Sequence, residues 1–352
     1  MSKKLTYIIC YSYEGGTKKF LLDLEKFFPQ TKFIKVLNKK NLSIINLTSE
    51  ANVLINNFYN TDIVIQDLIE LKNLNHKLKF YIVLHDMYWL NYNNLTNYLI
   101  KSTDYYSNLT NTELSVHGIY LKHNILLHPL ITNLFNLCEN VICPSKFVYT
   151  IYSSKYTNPN LIIVPHIDIS LEQNLIQTHY IHPIISNTIN IGCFNINCYH
   201  KGINLIHYLK SNYFKYNNLT INWYIVGENI PFYDENEFFE IITKYNIHCL
   251  TYLSIVGETW CYSLTKGIKS QLPLFYNNIG SFAERVDKSV KTNFIAYQNE
   301  QEIQCDTEMK ILIIRFEQFL NLITNNNSNQ ETKPDYNNLK YEINDFYMNT
   351  FG

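Results

Sequence analysis

The stretch from Ile255 to Val286, IVGETWCYSLTKGIKSQLPLFYNNIGSFAERV, constrains the fold more than any other part of the chain. It opens on an exposed Gly257-Glu258 turn and runs into a helix-period segment with Leu264 and Ile268 on one face. Gly267 lies beside them, where a small residue is wanted if a helix approaches a sheet closely. Pro273 cannot continue that helix. The apolar run LPLFY then reads as a short buried strand, Asn277-Asn278-Ile279-Gly280 as a turn, and Ser281 as the N-cap of a second short helix carrying Glu284. The order is loop, helix, strand, loop, helix, with a carboxylate at each loop. Such an order predicts a ligand at the carboxyl edge of a parallel sheet. Helix N-termini offer unpaired N–H groups to phosphate, and the carboxylates Glu258 and Glu284 accept from sugar hydroxyls.

The rest of the chain supplies the same kind of unit. With 352 residues it exceeds one ordinary core and predicts two domains. Leu5 to Cys10 is an apolar run, and Gly15-Gly16 then opens a helix whose Phe20, Leu21, Leu24 and Phe27 share a face. Lys32 to Val36 and Asp62 to Gln66 read as strands. Phe80 to Leu84 is a strand buried on both faces, with His85-Asp86 at its carboxyl end, the edge where open α/β sheets carry their sites. Asp86 either fixes the His85 tautomer or caps the next turn. Tyr92 to Thr112 is Asn- and Tyr-rich and reads as loops. A helix, the strand Asn140 to Cys143, the turn Pro144-Ser145 and another helix follow, and LIIVPH ends the first half. Residues 171–187 form the domain boundary, and His179 and His182 within it have no Cys or carboxylate company that would make a metal site.

The second half opens with the strand Ile189 to Ile191 and a Gly192 loop. Lys201-Gly202 then starts a helix with Ile203, Leu205, Ile206 and Leu209 inward. In LTINWYIVGENI a strand leads to Gly227, whose missing side chain allows a nucleotide to approach the backbone. YDENEFFEIITKYN is an acidic amphipathic helix, Thr324 to Thr332 an Asn-rich linker, and the last residues a helix.

Composition narrows the function. A formal net charge of -1 gives no bulk attraction to nucleic acid or to an anionic membrane. The 8 cysteines form no C-x-x-C pair and read as reduced thiols. No uninterrupted apolar stretch approaches bilayer-spanning length, so the expectation is a soluble, cytoplasmic protein without an integral membrane segment.

On the residues from Glu258 to Gln271 the chain resembles the group 1, family 4-like retaining GT-B glycosyltransferases, whose pattern is a loop Glu, a second Glu eight positions on, and a G-x-P-V strand. Glu258 takes the first position, Lys266 the second, and Gln271 stands where the family has a helix-ending Gly. Gln271 is therefore expected in a left-handed conformation. The resemblance continues in the Gly15-Gly16 turn, in His85, in Pro165-His166 and in Lys201, while Cys193 occupies the place of a family Arg. It implies an α/β GT-B fold, two Rossmann-like doubly wound domains facing a cleft. Residues 1–170 would form the acceptor side, 171–187 a linker and 188–323 the nucleotide-sugar domain, with 324–352 returning onto the first domain. Glu258, His85 and Lys201 are implied as catalytic. Gly15, Gly16, Gly227, Cys261, Tyr262, Ser263, Leu264, Lys266 and Glu284 are implied on the donor side. The activity implied is metal-independent, retaining transfer of a hexosyl or deoxyhexosyl group from a nucleotide-sugar to a glycan or glycoconjugate hydroxyl, with no cofactor. A second possibility is a GT-B protein that binds such ligands without transfer.

Overall fold

The computed structural model describes residues 5–10, 15–45, 50–56, 63–85, 128–157, 160–166, 187–194, 201–232, 237–288, 290, 293–325, 346–347 and 349–351. The chain divides into two compact units, Met1–Glu172 with Tyr336–Gly352, and Gln173–Asp335. Of residues 171–187, only Asn187 lies among those described.

The first unit is built on six parallel strands, β1 (Leu5–Ile9), β2 (Lys32–Val36), β3 (Ala51–Ile55), β4 (Leu78–Val83), β5 (Asn140–Cys143) and β6 (Leu161–Ile163). Their order is β2-β1-β3-β4-β5-β6. The connecting helices are α1 (Gly15–Phe27), α2 (Ile65–Leu74), α3 (His128–Asn136) and α4 (Lys146–Ser153). Consecutive strand residues such as Ile8 and Ile9, Val53 to Ile55, and Ile82 and Val83 are all fully buried, the signature of a sheet covered on both faces. The second strand lies on one side of β1 and the third on the other. This reversal of direction puts the switch point of the sheet between β1 and β3.

Two expectations change here. The strand expected at Asp62 to Gln66 is instead Ala51–Ile55, and α2 begins at Ile65, with Asp62 outside the described residues. The β-branched Ile63, Val64 and Ile65 suggest a strand, but Ile65, Leu68 and Ile69 are buried at helical spacing. Asp67 in the first turn also accepts from the Val64 N–H at 3.0 Å. The fully buried position after Phe20 and Leu24 is Phe28, one residue past the end of α1, and Phe27 is half-buried against it, ring centroids 4.8 Å apart. A line of residues four apart runs through 20, 24 and 28, so 27 falls to its side. The end of the chain docks on this unit: Thr31 Oγ1 donates to Phe351 O and Asn52 Nδ2 to Thr350 O, each at 2.7 Å.

The second unit carries β7 (Thr188–Cys193), β8 (Lys215–Tyr216), β9 (Leu219–Ile225), β10 (Cys249–Tyr252), β11 (Leu274–Asn277) and β12 (Asn293–Tyr297), ordered β12-β11-β10-β7-β9-β8. All pairs are parallel except β8 with β9. Its helices are α5 (Ile203–Asn212), α6 (Phe238–Lys244), α7 (Tyr262–Ser270), α8 (Phe282–Arg285), α9 (Glu300–Cys305) and α10 (Lys310–Asn325). The core-facing residues of α5 are Ile203, Leu205, Ile206 and Leu209, and α10 lays Phe316 and Phe319 on Phe275 of β11 at centroid distances of 5.3 and 5.2 Å.

Two glycines set how closely these helices approach the sheet. Gly202 has φ 79, and a Cβ there would sit 1.8 Å from the Leu253 carbonyl oxygen, so only glycine lets α5 start against the end of β10. At Gly267 a Cβ would meet the Tyr252 hydroxyl at 2.5 Å. That hydroxyl donates to Ser263 O at 2.8 Å, seating α7 on the strand. Gln271 ends α7 with φ 57 and ψ 14, the left-handed conformation expected of it. The strand that follows β7 in the chain order of this parallel core, β9, lies on one side of β7, and β10 lies on the other. The switch point is between β7 and β10.

Candidate functional site

Three loops converge at the switch point of the second unit. Lys201, one residue ahead of the Gly202 turn, donates through Nζ to Glu258 Oε2, and Ser254 Oγ donates to Glu258 Oε1. Gly257 and Glu258, expected in an exposed turn, are both buried, Glu258 at 9% exposure. A carboxylate this buried is costly unless paired, and a cation on one oxygen with a hydroxyl on the other meets that need. The loop after β11 clasps it from the main chain, the Ser281 N–H donating to Glu258 O at 2.8 Å. Gly280, with φ 57, lies so close that a Cβ would be 2.4 Å from Glu258 N. Asn277 Nδ2 donates to Ser254 O at 2.9 Å. Ser281 precedes α8 as expected, but its backbone is right-handed helical and its hydroxyl makes no cap bond. A capping side chain needs an extended backbone to reach back to the helix N–H groups.

The α7 helix starts beside Glu258, with Cys261 at its N-cap, and Tyr262, Ser263 and Leu264 form its first turn. Arg285 of α8 braces this entry. Its Nη1 donates to Cys261 O at 2.9 Å, its Nη2 donates to Thr265 Oγ1, and its guanidinium lies 3.7 Å from the centroid of the Trp260 ring. Burial pushes the Cys261 thiol up to about 11, so it stays protonated at neutral pH. Lys266 is buried in the second turn of α7, and Glu284 is exposed on α8. Gly227, φ 88, forms a tight turn after β9 with its N–H on Ile230 O at 2.8 Å. Cys193 ends β7 facing β10, its Sγ 2.9 Å from Thr251 Oγ1, and burial pushes this thiol to about 12.

In the first unit, His85 follows β4 and bonds through Nε2 to Asn56 Oδ1, while Asn56, following β3, donates its N–H to Ile9 O at 2.9 Å. The His85 ring is tilted against that of His166, centroids 4.6 Å apart, and Phe20 lies 5.1 and 4.8 Å from the two. Desolvation pushes His85 down to about 3, so the ring is neutral. With the Asn56 oxygen accepting from Nε2–H, the tautomer assigned leaves Nδ1 as an acceptor. Gly15 and Gly16 begin α1 at the same sheet edge as the end of β1. Asp86 lies outside the described residues. Ser145 caps α4, accepting from the Val148 N–H at 3.3 Å.

The structure thus brings Lys201, Glu258 and the first turn of α7 together, and separately sets His85 beside His166. From the sequence, Asn56, Ser254 and Arg285 have no site role, and Asn277 stands only as the start of a turn. Reading Ala51–Ile55 as a strand would have flagged Asn56, since it ends that run as His85 ends the next.

No protein-family model matches the sequence, and no curated protein does. Solved structures do match. HepE from Anabaena, in a complex with UDP, superposes with a TM-score of 0.55 over 98% of this chain and 100% of its own at 12% identity. Its complex with UDP-glucose gives a TM-score of 0.53 at 12% identity, over 98% and 99% of the two chains. The lipopolysaccharide outer core galactosyltransferase WaaB gives 0.54 at 9% identity, over 98% and 99%. The chain has the GT-B fold. Its two Rossmann-like sheets of six strands are those of that fold. Among the described residues of this GT-B chain no helix is long and apolar enough to cross a membrane, and no group of three or more His, Cys, Asp or Glu could hold a metal ion.

Proposed function

We propose that the protein is a nucleotide-sugar-dependent glycosyltransferase of the group 1 retaining type, moving a hexosyl or deoxyhexosyl group to a hydroxyl of a glycan or glycoconjugate. The observation that carries this reading is the Lys201–Glu258 pair at the switch point beside the first turn of α7. The likeness to HepE, solved with UDP and with UDP-glucose, supports a uridine diphosphate sugar as donor.

Each residue then has a task. The N–H groups of the first turn of α7 and the Lys201 ammonium take the diphosphate, supplying in place the positive charge that the leaving group needs as it departs. Glu258 accepts from hydroxyls of the donor sugar, and His85, held neutral, orients the transferred group. The acceptor oxygen bonds to the anomeric carbon on the face from which the diphosphate leaves. The anomeric C–O bond breaks, and the acceptor proton passes to the departing phosphate oxygen. Charge is met by Lys201 and by main-chain dipoles, so the reaction is proposed to need neither metal nor cofactor. No D-x-D sequence stands at a strand end.

A second reading, a GT-B protein that binds nucleotide-sugar without transfer, is favoured by two departures. Lys266 stands where the resemblance places a carboxylate, and Cys193 turns into the sheet where it places an Arg. Among the described residues Cys138, Cys143, Cys193, Cys249 and Cys305 are free thiols, which supports a reducing compartment such as the cytoplasm.

The test is thermal unfolding with UDP, UDP-glucose and uridine, followed by product analysis with EDTA present. Ligand at about 100 times its dissociation constant raises stability by roughly 2.7 kcal/mol. Stabilisation by UDP and not by uridine, with sugar released or transferred, is expected. If no nucleoside diphosphate stabilises the protein, the reading fails, and binding without turnover selects the second reading.

A further inference from the structure

Two polar side chains next to Glu258 are fully enclosed and have no part in the activity proposed above. Ser254 and Asn277 are both 0% exposed, at the carboxyl ends of the adjacent strands β10 and β11. Asn277 Nδ2 donates to Ser254 O at 2.9 Å, and Ser254 Oγ donates to Glu258 Oε1. The other end of the Asn277 amide, Oδ1, is buried with no hydrogen-bond partner among the described residues. An amide that leaves its acceptor unmet in a strand end otherwise made of Leu274, Phe275 and Tyr276 weakens the core. Its single bond, to the carbonyl of Ser254, is what it contributes.

The consequence lies in the carboxylate. With Oε1 taken by a hydroxyl that cannot leave the core, Glu258 is prevented from rotating, and Oε2 is the oxygen held by Lys201, a side chain long enough to swing away. We infer that Ser254 and Asn277 are the positioning residues of Glu258. Asn277 holds the Ser254 main chain, and Ser254 locks one carboxylate oxygen so that the other is presented to the donor sugar when Lys201 turns to the diphosphate. The inference rests on the reading of Glu258 as the sugar contact. It assigns sugar recognition, as distinct from nucleotide recognition, to a relay running Asn277, Ser254, Glu258.

Calorimetry of the parent, Ser254→Ala, Ser254→Thr and Asn277→Ala with UDP and with UDP-glucose tests it. Ser254→Ala is expected to leave the UDP dissociation constant within about two-fold and to weaken UDP-glucose about ten-fold, a difference of roughly 1.4 kcal/mol. Ser254→Thr, which keeps the hydroxyl, restores the parent value, and Asn277→Ala shifts UDP-glucose in the same direction by less. Equal weakening of both ligands by Ser254→Ala, or none of either, overturns the relay. If the parent binds neither ligand, the functional reading has failed, and a crystal structure of ligand-free Ser254→Ala decides the positioning alone. A Glu258 carboxylate turned away from Lys201 upholds it, and an unmoved one overturns it.

Discussion

Lys201 Nζ donates to Glu258 Oε2 across 57 residues of sequence, joining the loop ahead of α5 to the loop after β10. The carboxylate takes up the cation that the proposed reaction assigns to the diphosphate. Lys201→Ala is expected to weaken UDP ten- to hundred-fold, as loss of a charge-assisted contact of roughly 1.5 to 3 kcal/mol implies, and to leave uridine unchanged. The variant also strands a buried carboxylate and unfolds at lower temperature, and adding Glu258→Gln restores the midpoint. Equal loss of UDP and uridine affinity would move Lys201 away from the phosphates.

Lys266, buried on α7, is the residue that most separates this chain from the family pattern it resembles. An ammonium donates to ribose oxygens but cannot accept from their hydroxyls, whereas a carboxylate accepts from both. Lys266→Glu is expected to tighten UDP by about five- to ten-fold, on the order of 1 kcal/mol. Calorimetry reads this directly. Weaker binding marks Lys266 as a phosphate ligand, and no change puts position 266 outside the site.

Gln271 closes α7 with φ 57. A non-glycine residue there carries a backbone cost of about 1 kcal/mol, partly offset because glycine has more freedom to lose on folding. Gln271→Gly is therefore expected to raise stability by roughly 0.5 kcal/mol in urea unfolding, with UDP affinity unchanged. A lower urea midpoint would show that the Gln side chain contributes more than its backbone costs.

His85 titrates at about 3 in the folded chain, below the ordinary value of 6.5. The neutral ring is favoured by folding, so its share of stability is complete above pH 6.5 and is lost as pH falls from 6.5 towards 3, where the unfolded chain binds the extra proton. The parent is expected to lose up to about 1.4 kcal/mol per pH unit more than His85→Gln across that window. Urea unfolding of both at pH 7 and pH 5 checks it. Parallel losses in the two proteins would mean that His85 is solvated and titrates normally.

Much of this was legible in the chain itself, because it depends on neighbours in sequence. The run Phe80 to Leu84 is apolar at every position and makes up the buried end of β4 and the residue after it, with His85 next, and Ile203, Leu205, Ile206 and Leu209 recur at helical spacing and face inward on α5. Gly267 declared a close helix for the same local reason, and the left-handed end at Gln271 followed from the family resemblance. Tertiary structure decided what local pattern does not encode. Ala51–Ile55 rather than 62–66 supplies β3, since only the pairing with β1 and β4 distinguishes a strand from an equally apolar helix start. Phe351 and Thr350 find Thr31 and Asn52 some 320 and 298 residues away. Ser254, Asn277 and Asn56 look like ordinary loop residues until strand order brings β10 beside both β7 and β11, and β3 beside β1. A buried hydroxyl or amide takes its meaning from the group it bonds, and that group is chosen by the register of strands distant in the sequence.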